Sequence, residues 1–144
     1  MSKRPIRWDE IESKVFTRVQ YYLKTNPGKY PKINCTTKNS NAAPTTFPTM
    51  YLHELPSVEY GNTLDNTEIN AVMSTIEVQV YVNTTENDAK KILVAITTEM
   101  KNMGYSVTAF PIVTTSNNVS TGVARFRRMV GLNDAIFRVT VKGG

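Results

Sequence analysis

Thr75-Ile-Glu-Val-Gln-Val-Tyr-Val-Asn83 decides the fold, together with the eighteen residues from Glu86 to Met103 that follow it almost at once. In the first stretch Ile76, Val78, Val80 and Val82 alternate with Glu77, Gln79 and Tyr81, a period of two that predicts a strand with one buried face. Three residues later the period changes. Ala89, Ile92, Leu93, Ile96, Met100 and Met103 recur at helical spacing, Thr85 with Asp88 supplies an N-cap, and Gly104 stands where a helix needs a left-handed C′ residue. The spacing therefore predicts a strand running directly into a helix over 86–103.

Outward from this pair the same arguments place the other elements. Ile11, Val15, Val19 and Leu23, widened by Phe16 and Tyr22, make one apolar face of a helix over 9–25, opened by Asp9 with Glu12 and closed by Asn26-Pro27-Gly28. Less regular strands are expected at 49–55 and 105–114, the second carrying Pro111, which suits an edge or a bulge. Strands at about 123–130 and 135–142, joined by Gly131-Leu-Asn-Asp134, read as a C-terminal β-hairpin over 123–142. Thr, Asn, Ser and Pro fill 34–48 and much of 56–72, which are expected to be extended loops. The whole is expected to be a single α+β domain over 1–144. Two amphipathic helices would pack on one face of a mainly antiparallel sheet of four to five strands.

Composition narrows the chemistry. The 144 residues include 19 Thr and 13 Asn but one His, one Cys and one Trp. Zinc needs about four Cys or His ligands, and only Cys35 and His53 exist, so no metal is expected. No Gly-rich phosphate cradle of either common spacing occurs, so no nucleotide cofactor is expected. A lone Cys makes no internal disulfide, and the N-terminal residues lack the apolar run of a signal peptide, which places folding in the cytoplasm. The longest aliphatic run, Ile92 to Ile96, is too short to span a bilayer. His53 lies beside Glu54, but adjacent strand residues point to opposite faces, so His53 reads as structural and not as a base with its orienting partner. Cys35, in a polar loop without a nearby base, reads as a bystander thiol. An enzyme would have to work with carboxylates such as Glu77 and Glu54, which nothing in the sequence pairs, and no catalysis is expected.

What remains is charge. The formal net charge is +5, yet residues 1–32 carry eight cations and three acids, 33–121 four cations and eight acids, and 122–144 five cations and one acid. In the C-terminal strands Ala124, Phe126 and Val130 belong on the buried face, which sends Arg125, Arg127, Arg138 and Lys142 to the opposite one. Such a face calls for an acidic counterpart. One counterpart is a second subunit, through the acidic stretch that includes Glu54, Glu59 and Glu77, and a head-to-tail contact of that kind closes into a ring. The alternative is nucleic acid, since Arg-Phe-Arg-Arg at 125–128 interleaves cations with an aromatic.

The layout resembles the tail terminator and tail-completion proteins of long-tailed bacteriophages. The likeness rests on the N-terminal amphipathic helix, the Pro/Thr-rich stretch before a Tyr-containing strand, Thr75 to Asn83 running into Glu86 to Met103, and Gly104-Tyr105 leading to Val123-Ala-Arg-Phe-Arg-Arg128. The resemblance implies a non-enzymatic virion protein assembled in the host cytoplasm. It would form a hexameric ring at the head-proximal end of the tail tube, stop tube growth and dock the neck. Its partners would be copies of itself, the tail tube protein and the neck and head-closure proteins, with genome DNA passing through without sequence-specific binding. Other neck or head-closure connectors share this size and composition.

Overall fold

The computed structural model describes residues 10–25, 30–38, 46–60 and 71–131. In chain order the elements are α1 (Ile11–Thr25), β1 (Asn34–Thr36), β2 (Thr49–Tyr60), β3 (Ala71–Val82), α2 (Glu86–Asn102), β4 (Ser106–Ser116) and β5 (Val119–Gly131). Among the described residues the sheet has five strands in the order β1-β2-β3-β5-β4. Every neighbouring pair is antiparallel except β1 with β2. The fold is α+β, as the periodicities predict.

One sheet face carries both helices. Met50 and Leu52 of β2, Ile76, Val78 and Val80 of β3, and Ala124, Phe126 and Val130 of β5 point into a single core. They meet Ile11, Val15, Val19 and Leu23 of α1 and Ala89, Ile92, Leu93, Ile96 and Met100 of α2. The four α1 positions fall at every fourth residue, so they form one stripe and all are fully buried. Arg18 of α1 donates to Glu99 of α2 at 2.6 Å and ties the two helices together; Asn102 Nδ2 donates to the other Glu99 oxygen. The α2 boundaries match their sequence signals: the Thr85 hydroxyl accepts from Asp88 N–H, and Gly104 follows the helix with a φ of +89°.

Several expectations are revised. β2 runs on to Tyr60 and β3 begins at Ala71, so strand replaces loop at both ends of the 56–72 segment; residues 61–70 lie outside the described residues. The 34–48 segment contains β1, paired in parallel with Thr49 to Tyr51, while 39–45 lie outside the described residues. The hairpin that includes β5 is formed with β4, through a two-residue turn at Asn117-Asn118. Both asparagines have positive φ, 52° and 64°, which this residue type tolerates and a two-residue hairpin turn demands. The strand expected at 135–142, the turn residues Leu132 to Asp134, Asp9 and the Asn26-Pro27-Gly28 stop lie outside the described residues.

Gly122 explains why β5 begins earlier than the sequence pattern suggests. Its inward position lies under α2, where a Cβ would stand 2.5 Å from Leu93 Cδ1 and 3.3 Å from Val113 Cγ2. Leu93 is fully buried, so it can yield only by displacing the core side chains around it. Gly122→Ala is therefore expected to lower the unfolding free energy by about 1–3 kcal/mol through overpacking, read as a lower midpoint in urea with unchanged slope.

Among the described strands, both edges of the sheet are blunted. β4, at one edge, carries Pro111 and two breaks in register, between Val107 and Ala109 and between Ala109 and Ile112. At the other edge β1 covers only Thr49 to Tyr51, and beyond it the Glu54 N–H is taken by the Glu12 carboxylate at 2.8 Å instead of a strand. A register break between Leu55 and Val58 follows. These devices discourage another strand from adding.

Candidate functional site

No helix among the described elements lies over the second face of the sheet. Because side chains alternate, the residues between the core positions collect there: Tyr51 and His53 from β2, Thr75, Glu77, Gln79 and Tyr81 from β3, and Val123, Arg125, Arg127 and Met129 from β5. Register turns this list into rows. His53 is opposite Glu77 and Glu77 is opposite Arg125, so three strands contribute one residue each to a single line across the sheet.

Glu77 is the hub of that line. His53 Nε2 donates to its Oε1 at 2.8 Å, Gln79 Nε2 donates to the same oxygen at 3.0 Å, and Arg125 Nε donates to Oε2 at 2.8 Å. The Tyr81 hydroxyl in turn donates to Gln79 Oε1. The Tyr51 ring stacks flat on His53, with centroids 4.6 Å apart. Only 7% of Glu77 is exposed, a low value for a carboxylate. Burial by itself would push its pKa up, but the hydrogen bonds from His53, Gln79 and Arg125, and the Arg125 charge, outweigh it and hold the carboxyl down at about 2. A group so held stays ionised at any physiological pH, and both of its oxygens are engaged. It suits the fixing of neighbouring side chains and not proton transfer.

The seven sequence-predicted interface residues scatter accordingly. Arg125 and Glu77 meet, but within one chain. Arg127 lies on the same face as Arg125 and is exposed. Glu54 faces the other way, into the helical layer, where Ser74 Oγ donates to its Oε2 at 3.1 Å. The Tyr105 hydroxyl bonds Ser74 Oγ at 2.8 Å, and because Ser74 gives its one proton to Glu54, Tyr105 is the donor. Glu59 belongs to β2 opposite Val72, and its side chain lies outside the described residues, as do Arg138 and Lys142.

Reading the sequence alone missed the partner of His53. Neighbouring positions point only to Glu54, whereas Glu77 is 24 positions away and one strand across. The cue present in the sequence was that both residues fall on outward positions of their strands. Cys35 is half-buried, and desolvation raises its thiol to about 11, against a small opposing effect of Lys24, so it is a poor nucleophile. Among the described residues no cluster of three or more His, Cys, Asp or Glu could hold a metal ion, and no helix is long and apolar enough to cross a membrane. No protein-family model matches the chain, and no curated protein matches it closely enough to count as a relative.

Proposed function

We propose that the chain is a virion structural protein, a tail terminator that assembles into a hexameric ring on the head-proximal end of a phage tail tube. In this reading it ends tube polymerisation and offers the neck its docking surface, with no catalysis and no cofactor. The observation that carries the proposal is the two-sided sheet: one face covered by both helices, the other, over which no described helix lies, braced internally from strand to strand. Exposed Met129 stands on that face beside Arg127, and exposed Ile112 lies farther along it, opposite Val123. A surface of mixed polar and apolar side chains, fixed in place by the His53–Glu77–Arg125 row, suits repeated contact with other protein subunits. The blunted edges add to this, because they direct assembly through faces instead of through strand addition. A nucleic-acid module draws less support, since Arg125, one of the cations it would use, is bonded to Glu77.

Tail-tube protein polymerised with and without this chain tests the reading. Tubes of limited length, each with a ring visible at one end by negative-stain microscopy, are expected. Tubes that grow unchecked, with the chain left in solution, would contradict it. A ring that binds neck components but never tube ends would assign the chain to the head-closure connectors instead.

A further inference from the structure

At the end of the sheet where β4 starts, β5 runs on past its pairing with Ser106, and a cavity of about 680 Å³ lies there, lined from β3, the turn after α2, β4 and β5. Arg127 and Arg128 both line it, as do the hydroxyl-bearing Ser106 and Thr108, and Met73 and Met129 form an apolar wall. None of the described residues around it is acidic. Met73 and Met129 are opposite one another on β3 and β5, so the wall belongs to the same face as Glu77, and Arg127 projects from that face too.

Two arginines on this face differ in what surrounds them. Arg125 is opposite Glu77, which takes up its guanidinium, whereas Arg127 is opposite Thr75 on one side and Ser106 on the other. Neither is a carboxylate. Arg127 therefore stands exposed beside hydroxyls and thioethers with no acid in its row. Arg128 approaches from the opposite face against the turn after α2, where a Cβ on Gly104 would come within 3.2 Å of its Nε. That close approach, made possible by glycine, places the Arg128 side chain at the rim of the same cavity, but Arg128 has a partner of its own, so the binding of an added carboxylate falls to Arg127. A planar guanidinium is suited to bidentate binding of a carboxylate, and methionine adapts to varied apolar shapes.

We infer that this cavity binds an acidic, apolar-flanked peptide segment of another protein: Arg127 takes a side-chain carboxylate, and Met73 and Met129 receive the neighbouring apolar side chain. A nucleic-acid strand fits less well, because a phosphate backbone needs a track of cations. The next cation on this face, Arg125, is already bonded to Glu77, and a thioether wall offers nothing to phosphate. The inference does not depend on ring formation and is testable on a monomer.

The probe is a fluorescein-labelled hexapeptide alternating Leu and Glu, titrated by anisotropy against the full chain. Saturable binding is expected. It should weaken by at least about tenfold when Gln replaces Glu in the peptide or in the Arg127→Gln variant, consistent with loss of a charge-assisted hydrogen bond. Met129→Gln should weaken binding as well, while Arg127→Lys should retain part of it and Lys101→Gln, on the outer face of α2, should leave it unchanged. Arg127 is exposed, and unchanged thermal melts of its variants will separate lost binding from lost folding. Absence of saturable binding, equal binding of the Gln peptide, or indifference to Arg127 would overturn the inference. So would a twelve-residue oligothymidylate that binds through Arg127 more tightly than the peptide does.

Discussion

Phe126→Ala is expected to lower the unfolding free energy by about 3–5 kcal/mol, the cost of an emptied aromatic site in a closed core. Phe126 is fully buried in β5, between two outward arginines, opposite Ile76 of β3 and Val107 of β4. It is among the largest fully buried side chains of the described residues. The cavity would lie at the centre of the sheet, where β3 and β5 are hydrogen-bonded on both sides and have little freedom to collapse. Denaturant unfolding at neutral pH measures the loss. If the aromatic instead stacked on nucleic acid, the substitution would reduce binding while leaving stability nearly unchanged.

The second large effect concerns Glu77. Its folded pKa of about 2 lies below the ordinary value of 4.5, so folding favours the ionised form. The sign follows from linkage. A carboxyl with a depressed folded pKa adds its full stabilisation above the unfolded value and loses it as the pH falls from about 4.5 towards 2. The shift corresponds to about 2–3 kcal/mol, given that Glu77 is almost buried although its partner Arg125 is half exposed. Glu77→Gln is expected to be less stable by about that amount at pH 7, with the difference shrinking through the acid range and nearly gone at pH 2. Unfolding curves of both proteins across that range provide the check. A pH-independent gap would mean that packing, not charge, sets the role of Glu77.

These two residues also mark what the sequence could and could not reveal. Phe126 was legible because burial and alternation coincide: Ala124, Phe126 and Val130 are apolar and inward, and Arg125 and Arg127 are charged and outward. The same logic made β3 and both helices clear. It failed along the start of β5, where the inward positions are Ser120 and Gly122, kept small by the helix above them, so that no apolar alternation survives. It failed too at β1, only three residues long, where Cys35 alone touches the core and pairing with β2 holds the strand.

The Glu77 row was illegible for a different reason. Which residues stand opposite one another is set by register between strands, and register is a property of the folded sheet. Alternation along the strand puts Arg125 on the outward face, but from sequence alone Glu77 reads as an acid awaiting another molecule's cation. The register brings them together within one chain and adds His53, which local reasoning had set aside. The remaining exposed cation of the described face, Arg127, becomes conspicuous only once Arg125 is known to be engaged.

Sedimentation of the purified chain over a range of concentrations is the most direct test of the central claim that this protein works by assembling. A closed species of roughly six copies with a single sedimentation boundary is expected, as heterologous contacts that close a ring require. A single-chain mass persisting at high concentration would contradict it.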